Sequence, residues 1–188
     1  MRTLLALIAG SLIATTTLAA QDFSRAAARS AKADSWREAR VRPQDPRLVQ
    51  LLRAGVNRSS TFRALVDRLE AGNVFVYIAL TPTLRSGLAG KLTWITKAGD
   101  FRYLKAAINI EQNADQMIAT LAHELQHALE VSADDTVTDQ RSLLSLYKRI
   151  GRPSWVGQST SWETEAAQDT GFQVRRELVS AVADQSQL

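Results

Sequence analysis

The sequence predicts an α+β protein: N-terminal helices, a small and mainly antiparallel sheet, then long helices toward the C-terminal end. Three observations predict it. Phe62, Leu65, Val66 and Leu69 recur at i, i+3, i+4 and i+7, a helical stripe. Residues 74–80 (Val-Phe-Val-Tyr-Ile-Ala-Leu) form an unbroken β-prone run, the pattern of a buried strand. Beyond Asn113 the apolar residues return to helical spacing.

Taken in order, residues 24–42 are rich in Ala and Arg and read as a weak helix ended by Pro43. Asp45-Pro46 is an N-cap followed by proline at the first helical position, and Gly55 is the expected end of that short helix. Ser60 precedes the amphipathic stripe, which should stop at Gly72-Asn73. After the strand at 74–80, Thr81-Pro82 and residues 87–90 mark a turn or loop. Leu92 and Trp94 belong to a second strand, closed by Ala98-Gly99-Asp100. Residues 101–110 alternate as a third, with Leu104, Ala106, Ile108 and Ile110 on one face. The short link predicts an antiparallel hairpin. Asn113 and Gln116 have the spacing of a capping box opening a helix that runs to about Val131, and Asp115 suits its positive end. Residues 132–139 read as an acidic loop and 141–150 as a short helix. Gly151-Arg152-Pro153 is a break, and residues 161–182 form a last long helix.

Composition narrows the chemistry. The chain has 188 residues, no Cys and two His. Disulfides, Cys-ligated metals and a thiol nucleophile are therefore excluded, and any His-dependent chemistry must use His123 or His127. Residues 1–20 have a positive start, an uncharged apolar stretch and small residues at the end, the pattern of a signal peptide. The apolar stretch is short for a membrane span of about 20 residues, so a secreted or periplasmic protein is expected, with no stable membrane insertion once the peptide is removed. Residues 21–70 carry eleven Lys/Arg against six Asp/Glu. For an exported protein this basic excess reads as a solvated helix surface, and no nucleic-acid partner is expected. The domain reading is a signal peptide at 1–20, an N-terminal helical region at 21–72 and a catalytic domain at 73–188.

His123-Glu124-Leu125-Gln126-His127 is an HExxH motif. On a helix, i and i+4 share a face, so both imidazoles can grip one ion. Glu124 sits one step round, beside that ion, where it can act as a general base without being a ligand. Ile118, Leu121, Ala122, Leu125, Ala128 and Leu129 fall on the opposite arc, which would be buried. A single zinc ion is the expected cofactor. Catalytic zinc takes three protein ligands and keeps one position open. Ala133 stands where a longer motif would place a third His, and Glu130 where it would have Gly, so the third ligand must be acidic. Glu163 shares a mostly apolar stripe with Ala167, Thr170, Val174, Leu178 and Ala181, where a carboxylate is costly without a positive partner. Glu163 is therefore the choice. Glu165, which makes a Glu-xxx-Asp pair with Asp169, is the alternative.

His123-Glu-Leu-Gln-His127 followed by Trp162-Glu163-Thr-Glu165-Ala166-Ala167 resembles the gluzincin zinc metallopeptidases, in many of which an ExxA or ExEA(D) helix supplies a glutamate ligand. The resemblance covers roughly residues 74–182, and the chain looks like a minimal bacterial member. It implies a zincin-like fold, with the sheet packed on the HExxH helix and a C-terminal glutamate-bearing helix. It also implies His123, His127 and Glu163 as zinc ligands and Glu124 as general base. The chain departs from the family in its longer His-to-Glu separation, in having no Asn before the glutamate, and in having Ala167 where several members carry Asp. The resemblance further suggests residues 101–110 as the edge strand that receives an extended peptide, against the alternative of an interior strand. Tyr147, Arg141, Arg152 and Tyr103 stand as candidate transition-state stabilisers, and Trp155 and Trp162 as core or cleft wall. The expected activity is peptide-bond hydrolysis by a zinc-activated water on a peptide or protein substrate. The alternatives are a non-catalytic, zinc-stabilised envelope protein and a zinc hydrolase of a non-peptide bond.

Overall fold

The strongest β signal in the chain packs against the helix that carries both histidines. The structure, a computed structural model, describes residues 39–185 apart from 83, 85, 86, 157 and 158. The signal peptide expected at 1–20, and the weak helix expected at 24–42 as far as residue 38, lie outside the described residues. In chain order the elements are β1 (Val41–Pro43), α1 (Pro46–Arg58), α2 (Ser60–Glu70), β2 (Val74–Thr81), β3 (Gly90–Ala98) and β4 (Phe101–Asn109). They continue with α3 (Ala114–Ser132), α4 (Gln140–Ile150), β5 (Arg152–Val156), β6 (Ser159–Glu163) and α5 (Glu165–Gln185).

The architecture is α+β, but the main sheet is mixed rather than mainly antiparallel. Its order is β1-β2-β4-β3. β1 and β4 both run parallel to β2, and only β3 runs antiparallel, to β4. The hairpin forms as expected, with Gly99 at φ +57° as the first of its two turn residues, a conformation that favours glycine. What the hairpin leaves open is which of its strands meets β2. The connection between Thr81 and Gly90 is long enough to pass over one strand position, so β3 lies outermost and β4 returns into the gap. Residues 101–109 are therefore an interior strand, and the free edge on that side is β3. β1 occupies part of the stretch read as helix: Val41, Arg42 and Pro43 pair with Val76, Tyr77 and Ile78, a tertiary pairing that overrides local helix propensity.

Val74, Val76 and Ile78 of β2 and Leu104, Ala106 and Ile108 of β4 are buried on the sheet's inner face. Against them lies α3, whose Ile118, Leu121, Ala122, Leu125, Ala128 and Leu129 are buried as the periodicity predicts. Each fully buried aliphatic side chain contributes about 1.5–3 kcal/mol. The capping box at Asn113 and Gln116 forms in both directions. At the other end of α3, buried Arg102 reaches from β4 to donate to the carbonyls of Val131, Ser132 and Asp134. It satisfies orphan carbonyls and places positive charge at the negative end of the helix.

Asp45 caps α1 with Pro46 at its start, as expected. The helix does not stop at Gly55 but continues to Arg58, because Gly55 serves packing rather than termination. A Cβ there would lie 2.9 Å from the Phe62 ring and 3.0 Å from Ile118 Cγ2. The last helix starts later than its periodicity suggests. Residues 159–163 pair with 152–156 as a β-hairpin, and the Thr164 side chain caps α5 by accepting from the Ala167 N–H. Glu163 thus stands at the end of a strand, not on the helix.

Candidate metal centre

α3 presents His123 and His127 on one side, with ring centroids 4.8 Å apart and planes at 85°. The β6–α5 junction brings Glu163 to them. Its Oε2 lies 2.9 Å from His123 Nε2 and 3.9 Å from His127 Nε2. One ligand atom from each of the three residues falls within 4.8 Å of the others. Glu163 Oε2 is buried and has no hydrogen-bond partner among the described residues. By distance it makes an ion-pair contact with His123, but the approach lies outside hydrogen-bond geometry. The contact carries charge attraction when His123 is protonated, and its geometry leaves Oε2 without a hydrogen bond from any described residue. Two ring nitrogens and one unsatisfied carboxylate oxygen converging on a common point are a donor set suited to a divalent cation such as zinc.

The sequence expectation also placed Glu165 and Asp169 in contention. Both lie exposed on α5, outside this cluster. Thr164 separates them from Glu163 by starting a helix whose first turn points elsewhere.

Glu124 is buried beside the cluster and accepts a hydrogen bond from the Leu92 backbone. Burial raises its pKa, against the lowering influence of His127, His123 and that hydrogen bond. Room for it is made by Gly90, where a Cβ would sit 2.5 Å from Glu124 Oε1. Glu163 is held below the ordinary carboxylate range: burial pushes it up, but the His123 ring and the more distant His127 outweigh that. For His123, burial favours the neutral ring, yet Glu163, Glu124 and Glu130 together raise its pKa.

Sequence reasoning missed the role of Glu130, noting it only as a residue standing where a glycine could be. Its Oε2 is 2.9 Å from His127 Nδ1, and its Oε1 accepts the Thr164 hydroxyl at 2.6 Å. The side chains of His127 and Glu130 are 7% and 9% exposed. A carboxylate beside Nδ1 favours the tautomer with its proton there, the one that leaves the Nε2 lone pair, 3.9 Å from Glu163 Oε2, for a cation. One half-buried glutamate therefore orients a histidine and ties α3 to the junction that carries Glu163. The available signal was the i, i+3 spacing from His127, which places both on one helix face.

Of the proposed transition-state stabilisers, Tyr147 comes nearest. Its ring stands edge-on to His127 at 5.1 Å and its hydroxyl donates to the His127 carbonyl at 3.2 Å. Burial raises its pKa well above the ordinary value. That hydroxyl is thus engaged in holding the backbone of α3. Tyr103 stacks on Phe75, 5.0 Å away, across strands β2 and β4. Arg141 and Arg152 are exposed.

A cleft of about 800 Å³ opens from His123, Glu124 and Glu163. α3 forms its floor through Gln116, Ala119 and Thr120. Residues 87–90, leading into the edge strand β3, form one wall, and Gly171, Phe172 and Arg175 of α5 the other. Comparison with protein-family models, with curated proteins and with solved structures finds no match.

Proposed function

We propose that the protein is an exported zinc metallopeptidase of gluzincin type, with one zinc held by His123, His127 and Glu163. The observation that carries the reading is the buried, unpartnered Glu163 Oε2 facing two imidazole nitrogens at the head of an open cleft. A buried carboxylate oxygen without a partner is costly, and a cation at the convergence point removes that cost. Zinc bound there supplies Lewis-acid polarisation of a carbonyl and acidifies water.

The chain's own residues do the rest. Glu124, buried but lining the cleft, takes a proton from the attacking water and delivers it to the leaving amine. Its raised pKa suits a group that must both accept and release a proton near neutrality. Among the described residues the edge strand β3 pairs with β4 alone, and its other side is left for an extended peptide that would enter the cleft at Gly90. Export rests on the signal-like residues 1–20; among the described residues no helix is long and apolar enough to cross a membrane.

The test is zinc content of the purified mature protein, together with turnover of a peptide library with and without a chelator. One zinc per chain is expected in the wild type and in Glu165→Ala, and its loss in Glu163→Ala, with turnover abolished by chelation. Zinc retained in Glu163→Ala would overturn the ligand set. A zinc-loaded protein that cleaves no peptide would point to a structural metal or to another hydrolysable bond.

A further inference from the structure

α3 and α5 run antiparallel along the cleft. Thr164 meets Glu130, Gly171 lies against His123, and the Leu178 carbonyl shares Arg58 with Asp115 near the start of α3. Moving along α5 away from the metal cluster therefore means moving along the cleft toward the start of α3. Phe172 and Arg175 lie on that path, three residues apart and on one face. Arg175 is one turn beyond Gly171, about 6 Å along the axis.

Both side chains are anomalous as mere surface. Phe172 is 60% exposed yet lines the cleft. Arg175 is exposed and makes no hydrogen bond or ion pair with any described residue. Its neighbours are engaged: Arg176 bonds Gln173, and Arg58 takes Asp115 in a two-pronged pair. Glu111 lines the same cleft but does not pair with Arg175. Arg175 also borders the adjoining hollow formed by residues 113–116 and Val179. A guanidinium left free where a cleft ends presents a planar fork that matches a carboxylate.

We propose that Arg175, backed by the apolar ring of Phe172, binds a carboxylate of the substrate and makes the cleft selective for peptides carrying one close to the cleaved bond. The inference rests on the peptidase reading and names its substrate class. The carboxylate can belong to an acidic side chain or to the peptide's own C-terminus.

The test uses fluorescein-labelled hexapeptides in which a single Glu is moved through the sequence. Each is compared with its Gln twin, and each is made as free acid and as C-terminal amide. Cleavage by the zinc-loaded protein gives kcat/KM, and fluorescence anisotropy with Glu124→Gln gives binding without turnover. The wild type should favour one acidic form over its neutral twin by about fivefold or more, the size of a well-placed exposed charge pair. Arg175→Gln should erase that ratio and Arg175→Glu should turn it toward a Lys-bearing twin, with circular dichroism confirming that the variants fold. Dependence on Glu position identifies an acidic side chain; dependence on the free acid identifies the chain end. Cleavage with no acidic preference, or a preference that survives Arg175→Glu, overturns the proposal alone. Failure of every peptide to bind or be cleaved overturns it together with the peptidase reading.

Discussion

Two glutamates, one just before the C-terminal helix and one in its second half, meet opposite surroundings. Glu177 accepts from the Ser59, Ser60 and Thr61 hydroxyls, the Thr61 N–H and the Gln173 amide. It sits at the start of α2, where the helix dipole favours a negative charge. Although burial works against it, these hydrogen bonds lower its pKa to about 2. Glu163, just before the helix, offers Oε2 to two imidazoles and accepts no hydrogen bond there from any described residue. The fold satisfies the first carboxylate completely and leaves the second waiting for something outside the chain. A carboxylate whose needs are met locally is a fastening; one held in place with a need unmet is a candidate ligand.

The sharpest way to break this comparison is at Glu124, which belongs to neither class. Glu124→Gln should cut peptide hydrolysis by about 10³-fold, within the range expected of a general base, while zinc content stays at one per chain. Loss of zinc in this variant would make Glu124 a ligand and dissolve the division of roles. Next is Glu163→Ala, where zinc affinity measured by competition with a chromophoric chelator should fall by more than about 100-fold, beyond the loss typical of an outer-shell change.

Glu130→Gln tests whether orientation matters apart from ligation. Zinc affinity should fall by about 10–100-fold with the fold intact, because His127 loses the carboxylate that fixes its ring and tautomer. An unchanged affinity would reduce Glu130 to a link between two helices. The smallest effects concern stability without metal. Glu177→Ala should cost about 2 kcal/mol in urea unfolding at pH 7, a figure already reduced for the solvent that screens this half-exposed group. Since the folded pKa lies below the ordinary 4.5, that contribution is complete above about pH 4.5 and disappears as pH falls toward about 2. In the same metal-free assay Glu163→Ala should change stability by no more than about 1 kcal/mol. Equal losses from the two variants would show that Glu163 is a fastening after all.

Much of this contrast is legible in the residues, and part of it is not. The pair of histidines on one helical face, the capping box before them and the buried arc behind them follow from spacing alone, and all three are present. Glu163 could be singled out because a carboxylate on an apolar stripe needs a reason. That stripe does bury Ala167, Val174 and Leu178. The same periodicity misled about the start of the helix: it continues backward through Glu163 although the chain there is a strand. Hairpin pairing with residues 152–156 decided that, and pairing partners distant in sequence leave no periodic trace.

The sheet divides in the same way. Local pattern determined that three strands exist and that β3 and β4 form a hairpin, because turn chemistry and alternation act between neighbours. It did not determine that β4 lies beside β2 and that β3 becomes the outer strand, reaching the cleft at Gly90. Nor did it determine that Glu130 reaches both His127 and Thr164, or that Arg175 lines the cleft unpaired with any described residue. The sequence by itself determined which groups could do chemistry, since periodicity and residue type are local properties. Only the tertiary structure decided which of those groups meet, because packing joins segments whose separation along the chain carries no information about their distance in space.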